Sequence, residues 1–122
     1  MNVLIVVDMQ NDFIDGALGT AEAQAIVPAV AARIAQARAA GDTVIFTRDT
    51  HGENYLGTQE GRRLPVVHCI KGTPGWEISA ALPVEDAPVV DKPSFGSCEL
   101  AAILTELAPD AVELIGVCTD IC

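Results

Sequence analysis

Val3-Leu4-Ile5-Val6-Val7, closed at once by Asp8, is apolar on five successive residues and rich in β-branched side chains. That pattern suits a strand covered on both faces, as in a parallel sheet, rather than one with a wet side. Working outward, Ile26, Val30 and Ile34 recur every four residues through an Ala-rich stretch that ends at Ala39-Ala40-Gly41. This predicts a helix with a glycine C-cap, in which Pro28 is tolerable only near the first turn. Thr43-Val44-Ile45-Phe46-Thr47 reads as a second strand, Ala87-Pro88-Val89-Val90 as a third with Pro88 at its start, and residues 111–115 as a fourth, its Val112-Glu113-Leu114-Ile115 buried. Between the last two, residues 99–107 form a helix with Leu100, Ile103, Leu104 and Leu107 on one side. Residues 52–75, rich in Gly, Pro and polar side chains, read as a long functional excursion. The order β-α-β-(loop)-β-α-β is that of an α/β fold with right-handed crossovers, a three-layer doubly wound parallel sheet flanked by helices.

Composition narrows the function. The 122 residues, half of them apolar, suffice for one domain with its own core, residues 1–122. Seven Lys and Arg against seventeen Asp and Glu give a net charge of −10, which repels nucleic acid and anionic membrane and favours a small-molecule ligand. The apolar start has no basic flank and is interrupted by Asp8, so it matches neither a secretory signal nor a membrane span, and a cytoplasmic location is the expectation. Four cysteines, Cys69, Cys98, Cys118 and Cys122, show no C-x-x-C spacing and are expected as free thiols.

In such sheets ligands bind beyond the carboxyl ends of the strands. Asp8 follows the first strand, Arg48, Asp49 and His51 the second, Asp91 and Lys92 the third, and Cys122 the exit of the fourth. A base, a cation and a thiol thus converge on one edge, the parts needed for acyl transfer through a thioester. A thiol at a strand tip where a helix begins can be held as thiolate by the helix's positive end and a nearby cation. Asp49-Thr50-His51, with Glu60 and then His68 in the excursion, makes a second constellation of nitrogen and oxygen donors suited to Zn, Fe or Mn; Glu53 is a competing carboxylate. Phe13, Tyr55 and Trp76 are candidate pocket walls, Trp76 being read first as packing its turn against the sheet. Cys69 and Cys98 read as structural.

Val6-Val7-Asp8-Met9-Gln10-Asn11-Asp12-Phe13, Asp91-Lys92-Pro93 and Gly116-Val117-Cys118-Thr119-Asp120-Ile121-Cys122 resemble the isochorismatase-like cysteine hydrolase superfamily and, within it, the nicotinamidase-related amidases. The resemblance implies a triad of Asp8 as general base, Lys92 as orienting cation and Cys122 as nucleophile. It also implies a cis peptide before Cys118, and an oxyanion hole from the backbone N–H groups of Cys118 and Cys122. Phe13, inside the first motif, becomes the substrate-pocket candidate. Asp49, His51, Glu60 and His68, the last followed by Lys71-Gly72-Thr73, are similar to the divalent-metal site of nicotinamidases, most readily zinc, which isochorismatases lack. There the ion holds the ring nitrogen of the substrate. The implied reaction is hydrolysis of a small amide, first of all nicotinamide to nicotinate and ammonia. Ureido, carbamoyl or maleamate-type amides, isochorismate, and a catalytically silent metal-binding or assembly domain are the alternatives. The resemblance further implies a homo-oligomer and more sheet and helix beyond Cys122, so that on this reading the C-terminal part of the family fold lies outside these residues.

Overall fold

The structure is a computed structural model, and it describes residues 1–118 and 121–122. Four parallel strands, β1 (Asn2–Val7), β2 (Thr43–Asp49), β3 (Val89–Lys92) and β4 (Ala111–Gly116), form one sheet in the order β3-β2-β1-β4. The chain steps from β1 to β2 to β3 on one side, then returns to place β4 on the other side of β1. The switch point therefore falls between the exits of β1 and β4, where a crevice opens in folds of this type.

Side-chain alternation splits the apolar runs between two cores. Leu4, Val6, Val44 and Phe46 pack with Val30, Ile34 and Ala37 of the long helix α2 (Ala21–Ala39), behind the short α1 (Asn11–Ile14). Val3, Ile5, Val7, Ile45 and Val90 pack on the other face, against Leu100, Ile103, Leu104 and Leu107 of α4 (Cys98–Leu107). A helix on each face makes the three-layer, doubly wound architecture expected from the sequence. Among the described residues no helix is long and apolar enough to cross a membrane.

Three local expectations need correction. Helix α2 begins at Ala21, with the Thr20 hydroxyl accepting from the Ala23 N–H, so Pro28 sits well inside it rather than in the first turn. Pro28 and Gln24, whose carbonyl loses its helical donor, both lie on the exposed side, where solvent can reach that carbonyl. The third strand starts two residues later than expected, and Lys92 is its last residue rather than one past it; Pro88 contributes only its carbonyl, which accepts from the Phe46 N–H. Finally, β4 is not buried. Val112 and Leu114, paired with Val3 and Ile5 of β1, are 43% and 58% exposed, because among the described residues β4 is the outermost strand on its side and α4 packs on β1, β2 and β3 instead. The glycine after α2 does behave as expected, Gly41 taking φ +81 just beyond the C-cap.

The excursion after β2 contains a 3-10 turn (Tyr55–Gly57) and α3 (Gln59–Arg63), capped by the Thr58 hydroxyl on the Gly61 N–H. It returns to the sheet where His51 N–H donates to the Cys69 carbonyl and Lys71 N–H to the His51 carbonyl. That return brings His68 back beside His51.

Candidate active site and metal-binding group

Asp8 leaves β1 in the left-handed region, φ +49, and is fully buried. Its N–H donates to both the carbonyl and the hydroxyl of Thr47 at 3.2 Å, which holds this backbone turn against β2. The Thr47 hydroxyl in turn donates to Asp8 Oδ1 at 2.7 Å, and Lys92 Nζ donates to Asp8 Oδ2 at 2.9 Å. Burial pulls the Lys92 ammonium down, but the charge and hydrogen bond of Asp8 outweigh it and hold the pKa above the ordinary lysine value. The pair is an ion pair across β2, in which neither partner meets solvent.

Cys122 joins this pair across the switch point. As a residue it is exposed, yet its sulfur is hemmed in closely enough that desolvation, together with the Asp8 carboxylate, pushes the thiol up to about 12 against the pull of Lys92. The negative neighbour wins over the positive one, so the resting group is a thiol beside a base.

Val117–Cys118 is a cis peptide, as the resemblance implied. The N–H groups of Ile121 and Cys122 both donate to the Cys118 carbonyl at 3.0 Å, so the Cys122 N–H expected in the oxyanion hole is engaged in a turn here. Thr119 and Asp120 of the last motif lie outside the described residues. Gly116, φ +123, is required where it stands: a Cβ there would strike the Val7 backbone across the β1–β4 junction.

The second cluster lies beyond the exit of β2. Asp49, His51, Glu60 and His68 offer donor atoms that all lie within 4.8 Å of one another. His51 Nε2 is 2.9 Å from Asp49 Oδ2 and 3.0 Å from Glu60 Oε2, and His68 Nε2 is 3.4 Å from Asp49 Oδ2. Glu60, not Glu53, is thus the carboxylate that the excursion brings to this group. Burial alone would raise the Asp49 pKa, but the hydrogen bond from His68 and the charge of His51 bring it below the usual carboxylate value. The His68 imidazole is shifted up for the reciprocal reason, burial being overcome by Asp49 and the Val66 carbonyl.

These residues fit a divalent ion on two counts. Glu60 Oε2 is buried and has no hydrogen-bond partner among the described residues, close as it is to His51, which is the condition of a ligand waiting for a cation rather than of a satisfied core carboxylate. His68 Nδ1 lies 2.7 Å from the Val66 carbonyl, a bond in which it donates, and that makes Nε2, 3.4 Å from Asp49 Oδ2, the nitrogen a cation would take once it displaces the proton held there. Two imidazoles and two carboxylates form a set suited to zinc, iron or manganese.

The remaining candidates sort by contact. Phe13 is edge-on to His68, ring centroids 5.5 Å apart, and with Leu18, Ile26, Val117 and Cys118 it lines an apolar cavity of about 190 Å³. Trp76 is buried and packs as expected, its Nε1 donating to the Thr50 hydroxyl and its ring lying 3.8 Å under the Arg48 guanidinium. Arg48 forks onto Asp91, so these two strand-end charges neutralise each other outside the site. All four cysteines are free; Cys69 is buried and its thiol shifted up, whereas Cys98 is exposed at the start of α4.

A family model for the isochorismatase domain matches residues 2–122. The chain belongs to the isochorismatase family. It is therefore a hydrolase of the isochorismatase-like superfamily. It is similar to the nicotinamidase of Acinetobacter baylyi, 31% identical over 98% of this chain and 69% of that protein. Among solved structures it resembles the zinc complex of Pyrococcus horikoshii pyrazinamidase, with TM-score 0.82 and 36% identity over 99% of this chain and 73% of the other. It also resembles the N-carbamoylsarcosine amidase of Thermoplasma acidophilum, with TM-score 0.81 and 30% identity over 94% and 66%.

Two side chains in this isochorismatase-family site, Thr47 and Gln10, were not singled out by sequence, and a third, Tyr55, was read only for its ring. Thr47 reads as one more β-branched strand residue, Gln10 as one letter of a motif, and Tyr55 as a pocket wall. In the fold Gln10, fully buried, accepts from the Asp49 N–H and donates to the carbonyls of Asp49 and Trp76, each at 2.8 Å. Tyr55 is buried against both histidine rings, at 4.6 and 5.0 Å, and its hydroxyl donates to the Leu64 carbonyl.

Proposed function

We propose that this hydrolase of carbon–nitrogen amide bonds converts nicotinamide to nicotinate and ammonia through a thioester on Cys122. The observation that carries the reading is the buried Asp8–Lys92 pair beside Cys122, on the same sheet edge as the four-donor group of Asp49, His51, Glu60 and His68. With the thiol at rest, Asp8 takes the Sγ proton as sulfur bonds to the amide carbon. The C–N bond then breaks, and the nitrogen leaves as ammonia with the proton returned by Asp8. A water molecule, deprotonated by Asp8, attacks the thioester, and the sulfur recovers the proton. Lys92 stays protonated throughout, keeping Asp8 ionised between proton transfers.

The oxyanion developing on the carbonyl would be met by the backbone N–H groups of Cys118 and Cys122. For Cys122 that requires the bond to the Cys118 carbonyl to open as substrate arrives, and such donors contribute about 3 to 4 kcal/mol each. A divalent ion held by the four donors would supply a Lewis-acid point for a ring nitrogen, fixing an aromatic amide with its carbonyl toward Cys122 and its face near Phe13. The likeness to N-carbamoylsarcosine amidase favours a second reading, a carbamoyl or ureido substrate on the same machinery.

The test is ammonia release from nicotinamide by the purified protein, with and without a chelator, beside Cys122→Ala. Release that requires both the thiol and the metal supports the reading. Release from N-carbamoyl amides alone moves the substrate to the second reading, and no release from either removes both.

A further inference from the structure

We infer that Thr47 is a positioning residue for the reaction, holding the Asp8 carboxylate in its working orientation; this rests on the reading of Asp8 as the general base. An aspartate's terminal torsion is broad, so the plane of the carboxylate is set by whatever grips its oxygens. Here Lys92 Nζ donates to Oδ2 at 2.9 Å and the Thr47 hydroxyl to Oδ1 at 2.7 Å, with the Cys122 thiol as a further hydrogen-bond partner of the carboxylate. Lys92 and Thr47 come from β3 and β2, and the Asp8 side chain is 0% exposed. Without Thr47 the carboxylate would be held, among the described residues, by Lys92 and by the thiol whose proton the reaction removes.

The Thr47 hydroxyl is aimed by its own surroundings. Its oxygen accepts from the Asp8 N–H, the residue is only 2% exposed, and the carboxylate is the acceptor the structure gives to its proton. Backbone and side chain of Asp8 are thus fixed by one residue, which also pins the left-handed turn with its carbonyl. A strand residue needed only for packing would have no use for a hydroxyl here, since an unpartnered buried hydroxyl is costly and valine fills the same shape.

The prediction separates from a packing role because Thr47 stands two residues before Asp49 on β2. A general disturbance of β2 would move the metal donors as well. Loss of the hydroxyl alone would slow proton transfer and leave substrate and metal binding as they are.

The experiment measures kcat and KM for nicotinamide, and zinc affinity by chelator competition, in the parent protein, Thr47→Val, Thr47→Ala, Thr47→Ser and Asp8→Asn. We expect Thr47→Val and Thr47→Ala to lose roughly 10- to 100-fold in kcat, the range for a hydrogen bond to a charged group, with KM and zinc affinity within about twofold. Thr47→Ser, which keeps the hydroxyl, should recover most of the rate. Parent-like kcat in Thr47→Val while Asp8→Asn is inactive overturns the inference and leaves the general base standing. A joint fall in kcat, substrate affinity and zinc affinity that serine does not rescue also overturns it, in favour of a packing role. An active Asp8→Asn removes the general base itself, and this inference with it.

Discussion

Replacing Lys92 with methionine tests the buried pair at the centre of the site. The substitution keeps the stem's volume and removes the Lys92 ammonium facing Asp8, leaving a fully buried carboxylate with, among the described residues, the Thr47 hydroxyl and the Cys122 thiol. At the 2.9 Å separation of Nζ and Oδ2, the attraction is about 6 kcal/mol at an effective dielectric of about 20. Desolvation offsets part of it, and truncating one partner of a buried pair typically costs about 3 to 5 kcal/mol. With a urea m-value of about 2 kcal/mol/M, the midpoint at pH ~8 should fall by roughly 2 M. The penalty should shrink at pH ~5, because a buried carboxylate without its cation folds most easily in neutral form, so stability of the variant rises as protons become available. Asp8→Asn combined with Lys92→Met should be more stable than Lys92→Met alone, since no charge is then stranded. A loss below about 1 kcal/mol at pH ~8, the range of exposed pairs, would refute the picture of a desolvated, mutually dependent pair.

The other predictions concern the thiol, the metal and the sheet junction. With its pKa near 12, Cys122 should be alkylated by iodoacetamide at a rate that rises about tenfold per pH unit past pH ~9, where an ordinary thiol has levelled off; a plateau near pH ~8 would contradict the assigned neighbours. Zinc at about 100 times its Kd should stabilise the protein by about 2.7 kcal/mol, and this increment should vanish in His68→Ala and in Glu60→Gln if both are ligands. Gln10→Leu should weaken zinc binding by about 10- to 100-fold by releasing the Asp49 backbone, measured by chelator competition. Gly116→Ala, which places a Cβ against the Val7 backbone at positive φ, should cost at least about 2 kcal/mol in urea unfolding.

What could be read from the sequence was whatever repeats locally. The apolar runs of β1 and β2 are covered on both faces, and the residues at or just past their ends do converge, because a parallel sheet sends every carboxyl end to one edge. Asp8, Lys92 and Cys122 were legible for that reason and through their motifs. Val112 and Leu114 misled: their β-branched and aliphatic pattern is that of a covered strand, but coverage depends on where α4 lies, which no local pattern encodes. Pro28 misled in the other direction, since the Thr20 cap and a run of good helix formers extend α2 past a residue that usually starts one. Choosing Glu60 over Glu53 needed the path of the excursion. Thr47, Gln10 and Tyr55 needed the sheet order itself, because their partners, Asp8, Asp49 and the two histidines, are tertiary neighbours or belong to a folded loop.

The central claim, that Cys122 carries the acyl group of an amide substrate, is tested most directly by mixing protein and nicotinamide, quenching in acid within the first turnovers, and weighing the peptide that contains Cys122. The account predicts a nicotinoyl adduct on that peptide, decaying as nicotinate appears and missing in Cys122→Ala. Undiminished ammonia release from Cys122→Ala, with no adduct in the parent protein, would contradict it.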